Sequence, residues 1–448
     1  MLFHHVTIRT CLLGTFLSFA GFGLASWPTS FNDVNNGNDL ATVLAGSPNG
    51  DVTIAGNTTG NGTGTDIEVV RYDSSGAMLW TRVYGQPDVN ESVVAAASDA
   101  DGNFYLTGIT TEMGTEDFVT VKYSPTGTMK WGKDFNGAAN KADHPVAMAV
   151  GPTGNVVVTG FVQGSGFGID MQTIQYSPTG KLLWKKTYST PGDRVDIPRD
   201  VAIDTNGDIY LATRPYGGSA NGYDFGAMKY SQTGTLLWTR KLAGQPGGSD
   251  SGASIALDSD HNAIVTGKSV GLSGSADFMT VKFASDGTRL WSARYGSATK
   301  EETPTDVKVD SAGNSYVTGT AATPDGLSDV LTVMYDPAGN KLWAKTYTGH
   351  KGAQNSSDTA IALEIVGGSV IVGCSVQTDD ATPQTHFAFL KYSATTGVRI
   401  YAHTFDLGTT GNSVPRAMGM DPSTGRVFMT GSSHSDVNGT DDFFTIRS

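Results

Sequence analysis

The sequence predicts an all-β protein, an eight-bladed β-propeller of four-stranded antiparallel blades, its ring closed by an N-terminal strand that completes the last blade. Three observations carry this expectation. Tryptophans recur every 51 to 54 residues, at Trp80, Trp131, Trp184, Trp238, Trp291 and Trp343, and Tyr401 continues the series. A glycine stands four residues ahead of each ring, from Gly76 and Gly127 to Gly397. Two strand-like runs precede each glycine, such as "GNFYLTG" from Gly102 and "DFVTVKYS" from Asp117. A unit of about 50 residues with four short strands is the size of one propeller blade.

Within a unit, strand A is short and rich in small apolar residues, as in Val146-Ala147-Met148-Ala149-Val150. Strands B and C are expected to alternate apolar and polar side chains. Strand D carries the tryptophan. The A–B and C–D connections are short and uniform. "SPTG" at 124–127 and 177–180 places Pro where φ near −65° is wanted and Gly where φ is positive, which suits a tight hairpin with a glycine bulge. The D–A and B–C connections are long and unlike one another, so the disc has one uniform and one variable face.

The ends set the count. The blades are expected at 39–84, 91–135, 143–188, 196–242, 250–295, 302–347, 358–405 and 412–448, the last completed by 26–33. Strands A, B and C occur eight times, and the eighth set ends in "DFFTIRS" at Ser448 with no strand D. "SWPTSFND", with Trp27, supplies it from the other end and removes the open edges. Residues 1–25 precede this ring. Arg9, an apolar run from Cys11 to Leu24 and small residues before a cut after Ala25 read as a secretory signal peptide, so the protein is expected to be exported: secreted, cell-surface or periplasmic.

Composition excludes several classes. The 448 residues carry 30 Lys and Arg against 43 Asp and Glu, a net charge of −13, which gives no basic footprint for nucleic acid. Two cysteines cannot form a disulfide scaffold, and without the leader only Cys374 is left. After the leader no segment is apolar enough to span a membrane. The expected state is a monomer with a protein or glycan as its unknown ligand.

Two acidic positions recur. One precedes strand C: Asp66, Asp117, Asp170, Asp224, Asp277, Asp329 and Asp442. The other opens strand A: Asp39, Glu91, Asp143, Asp196, Asp250, Glu302 and Asp358, with Asn412 last. Such residues commonly accept hydrogen bonds from loop amides. If strand A lines the axial channel, the second set rings one mouth and offers oxygens to a ligand or a hard cation; no cofactor is required, and Ca²⁺ is the one considered. "DTNGD" at 204–208 gives a second calcium-loop reading through Asp204, Asn206 and Asp208. The tryptophans, Trp27 and Tyr401 included, read as wedges that dock blade on blade. On the variable connections His144, Asp193, Arg194, Arg199, His350, Lys351 and Arg416 are further candidates. No His-Glu-x-x-His, Gly-x-Ser-x-Gly or phosphate loop occurs, so no catalytic residue is assigned.

The unit D…GN-x-Y-V-T-G…D-F-x-T-V-K-Y-S-x-x-G-x-x-L-W resembles the bacterial β-propeller repeat family called SBBP across nearly all of residues 26–448, with His386 for Asp and Tyr401 for Trp in the seventh unit. The resemblance implies a secreted or surface protein and no particular activity. The Thr126-Gly127 to Trp131 spacing is also similar to the tryptophan-docking repeat of quinoprotein dehydrogenases. Those stack a quinone on an adjacent-cysteine disulfide that Cys374 alone cannot supply. The function expected is therefore a binding or interaction scaffold acting through the variable-loop face and the acidic channel mouth. A carbohydrate-active hydrolase or lyase using channel-mouth carboxylates is the alternative, and a quinone-dependent oxidoreductase the third.

Overall fold

In the computed structural model, residues 27–32, 37–59, 64–86, 88–112, 114–164, 166, 168–192, 194–218, 222–244, 248–271, 274–297, 299–349, 357–377, 384–405, 411–434 and 439–448 are described. The expected signal peptide, Asp193, His350 and Lys351 lie outside them. The described chain forms eight four-stranded antiparallel sheets. Blade 1 runs from strand A (Asp39–Gly46) through B (Val52–Thr59) and C (Thr65–Tyr72) to D (Met78–Tyr84), and six more blades repeat that order. Blade 8 takes A, B and C from Ser413–Met420, Val427–His434 and Asp441–Arg447 and its outer strand from Thr29–Phe31. Thr29 faces Thr445 and Phe31 faces Phe443. The same register in blade 1 sets Tyr84 against Ile67, so Trp27, four residues before Phe31, stands where Trp80 stands. The N-terminal strand thus closes the ring in register. No helix long and apolar enough to cross a membrane occurs among the described residues.

The A strands of successive blades pack side by side around the axis. Each carries a one-residue bulge, and in all blades but 4 and 7, where Thr213 and Cys374 take the place, a strand B glycine opposite it makes room: a Cβ on Gly108 would lie 2.1 Å from the Ser92 carbonyl.

Strands B and C differ from the expected alternation, because they are buried on both faces. Some of their buried polar positions are threonines paired across the two strands, beside buried cations such as Lys122 and Lys282. Thr107 faces Thr120, Thr159 faces Thr173 and Thr318 faces Thr332, with each first hydroxyl donating to a strand C carbonyl. A blade has a neighbour on each side, so neither face meets water and every hydroxyl needs an internal partner.

Candidate functional site

The wedge tryptophans link each blade to the next. Trp80, Trp131, Trp184, Trp238, Trp291 and Trp343 donate their indole N–H to carbonyls of Pro125, Pro178, Gln232, Ser285, Pro337 and Ala394, all in the C–D turn of the following blade. The turn glycine lies on the ring. Gly127, at φ +76°, would put a Cβ 2.7 Å from Trp80. Trp27 likewise lies under Gly76 of blade 1. Tyr401 meets blade 8, whose outer strand comes from the other end of the sequence, so no C–D turn covers it; it packs instead beside the core of Phe444 and Ile446.

The acids opening strand A are buried: Asp39, Glu91, Asp143, Asp196 and Asp358 show 0% exposure, Asp250 1% and Glu302 4%. Their carboxylates fasten the variable loops. Asp143 accepts the amides of Gly137 and Gln163, Asp196 those of Thr190 and Tyr216, and Asp250 those of Gly244 and Val270. Asp358 accepts Gly349 and Gln377, and Glu302 accepts Ser297. Burial, and then the charge of Asp66, pushes the Glu91 carboxyl up to about 8. Burial, and then Asp143, pushes Asp117 up to about 6. Among the described residues no three acidic, histidine or cysteine side chains converge on one ion-sized point. In the 204–208 turn, Asp204 accepts the amides of Asn206 and Asp208, while Asp208 pairs with Lys229 at 2.9 Å. Cys374 is buried in strand B of blade 7, where burial pushes its thiol up, so it offers a quinone no disulfide.

On the variable-loop face the non-repeated residues separate. His144 lies second in strand A of blade 3 (Asp143–Val150), stacked on Phe161 at 5.0 Å and paired with Glu116 at 2.8 Å. Arg199 and Arg416, expected on loops, are the bulged residues of strand A in blades 4 and 8. These are opposite blades of an eight-membered ring, and both side chains are exposed on innermost strands, so they face the axial channel.

Blade 4 departs furthest from the repeat. Its B–C connection folds into a two-stranded ribbon, Tyr216–Gly218 against Gly222–Tyr223. The Arg214 guanidinium lies 3.6 Å over Tyr223 and that of Arg194 4.5 Å over Tyr216, while the two rings meet edge-on at 6.1 Å. Partial desolvation of Arg199 among its neighbours, and then the charge of Arg214, lowers its pKa. Arg194, Arg199 and Arg214 make no ion pair among the described residues. A guanidinium stacked on a ring keeps its in-plane N–H edges for a carboxylate or sulfate. Tyr216, Tyr223 and Arg214 were missed in the sequence, where the only available signal was the length of the 215–224 connection. On blade 8 an open groove of about 360 Å³ is lined by Gly411, Asn412, Val414, His434 and Asp441.

No family model matches the chain, and no curated protein is similar to it. Solved structures are. A periplasmic gluconolactonase of Pseudomonas aeruginosa is 14% identical, over 82% of this chain and 95% of its own, with a TM-score of 0.47. A puromycin hydrolase is 13% identical, over 88% and 58%, at 0.49. The polysaccharide lyase Uly1 is 9% identical, over 89% and 88%, at 0.45. The likeness is one of overall architecture alone.

Proposed function

We propose that the protein is a binding scaffold that takes an acidic ligand on its variable-loop face, over blade 4. One observation carries this reading: three arginines gather there without an acidic partner among the described residues, in a chain of net charge −13. Like charges held together destabilise a fold, and a ligand carrying the counter-charge removes that cost. Eight interlocked blades supply the rigidity that such a site needs. Export and surface display belong to the same reading and rest on residues 1–25 and the family resemblance. A hydrolase or lyase using Asp143 and Asp196 would first have to free both carboxylates from the loop amides they hold.

The test is calorimetric titration with oligogalacturonate and with poly-glutamate. At least one acidic probe binds the wild type, and Arg199→Gln/Arg214→Gln weakens it roughly tenfold or more. Absence of binding by both probes, or affinity unchanged in the double variant, overturns the reading.

A further inference from the structure

Strand D is the outermost strand of its blade, because strand A lies against the axis and each sheet runs in the order A to D. The seven full-length copies, from Met78–Tyr84 in blade 1 to Arg399–Phe405 in blade 7, therefore form the rim of the disc. Two kinds of side chain collect there. Thirteen large apolar residues are exposed among the described residues, and eleven of them stand in these strands. The same strands hold twelve of the chain's 30 Lys and Arg and, in Asp134, one of its 43 acids. Of these cations only Arg294 forms an ion pair among the described residues. Single apolar residues scattered over a surface are ordinary. Apolar side chains and unpaired cations confined together to one zone of an acidic protein mark an interaction surface.

The zone is densest at blades 3 and 4. Strand D of blade 3, Leu182–Tyr188, opens with Leu182 and Leu183, and that of blade 4, Leu236–Leu242, with Leu236 and Leu237; all four are 42 to 50% exposed. The wedge contact brings the two pairs together. The Trp184 indole, next to Leu183, donates to Gln232 at 3.0 Å, and its ring lies against Gly234, two residues before Leu236. Lys181, Lys185 and Lys186 flank the first pair. The turns ahead of the two strands, "SPTG" and "SQTG", carry no acid, whereas those of blades 1, 5 and 6 carry Asp73, Asp286 and Asp336.

The repetition says what kind of partner fits. A protein partner is held by a patch of unique shape and pattern. Here apolar residues and cations recur with small changes from blade to blade, which suits a partner that is itself uniform from side to side. Leucines interleaved with lysines match the boundary between acyl chains and anionic headgroups. We propose that the rim at blades 3 and 4 docks on an anionic lipid bilayer, with Leu182, Leu183, Leu236 and Leu237 entering that boundary and Lys181 and Lys186 meeting the headgroup phosphates. The net charge of −13 on the whole chain is repelled by the same surface, so the disc stands on edge with its acidic faces turned away. The contact is peripheral and uses none of the arginines on the loops of blade 4.

The test is flotation of the chain from Ser26 to Ser448, which keeps every described residue and omits the apolar run 11–24 that would itself enter lipid. The vesicles are phosphatidylcholine alone and phosphatidylcholine with about one-third phosphatidylglycerol. The wild type floats with the anionic vesicles and not with the neutral ones, and added salt weakens the binding. Lys181→Glu/Lys186→Glu and Leu183→Gln/Leu237→Gln each weaken it roughly tenfold or more, at a melting temperature close to the wild type's. Arg199→Gln/Arg214→Gln leaves lipid binding as it is. A wild type that stays in solution with both vesicle types overturns the proposal and leaves the rim to a protein partner. Binding that the leucine substitutions do not weaken rests on charge alone, and binding lost in Arg199→Gln/Arg214→Gln but kept in both rim variants belongs to the loops of blade 4; either result overturns it.

Discussion

The indole N–H of Trp80 donates to the Pro125 carbonyl of the next blade at 2.8 Å, and the ring lies against Gly127 of the same turn. Five more blades repeat this contact, so the disc is held together by docked turns as well as by sheets. Gly127→Ala brings a Cβ into the ring from a positive-φ residue. It is expected to cost about 1–3 kcal/mol, measured by denaturant unfolding.

The outer strand of blade 8 is only Thr29–Phe31, preceded by Trp27, yet it joins the two ends of the described chain. A variant starting at Asp39 leaves Asp441–Arg447 as an open edge and removes the Trp27 wedge. It is expected to melt lower than the full chain or to self-associate on sizing. A monomer with an unchanged melting temperature contradicts the closure's contribution to stability.

On the uniform face, strand C cations are tied to A–B turn acids. Lys282 pairs with Asp258 at 2.8 Å, and both are nearly inaccessible. Lys282→Met strands a buried carboxylate and is expected to cost about 3–5 kcal/mol, and Lys282→Met/Asp258→Asn to recover most of that loss. Chemical denaturation of the wild type and both variants checks it.

Glu91 sets a pH dependence. Its folded pKa of about 8 lies above the ordinary carboxyl value, so the unfolded chain binds fewer protons between the two. The stabilising contribution is complete below the ordinary value and is lost as pH rises through about 8. In chelator, the wild type is expected to lose stability from pH 5 to pH 8, and Glu91→Gln to lose less. Parallel pH profiles of the two proteins contradict this.

The scaffold was legible because its contacts repeat. Most blades repeat the same wedge, turn glycine and bulge glycine, so the period of Trp80, Gly127 and Gly108 stands out. The same periodicity concealed the function. The strand A acids attract attention as a ring of potential ligands, yet Asp143 and Asp196 serve the loops of their own blades. Arg199 reads as a loop residue because a bulge leaves no mark in sequence. The stacking of Arg214 on Tyr223 depends on a ribbon that brings residues nine apart together, and no period announces it.

The most direct test of the binding reading is the salt dependence of oligogalacturonate affinity in the wild type and in Arg199→Gln/Arg214→Gln. Paired opposite charges predict wild-type affinity that falls steeply as salt rises, and a weaker, flatter dependence in the double variant. Affinity indifferent to both salt and the two substitutions would contradict a site built on the arginines of blade 4.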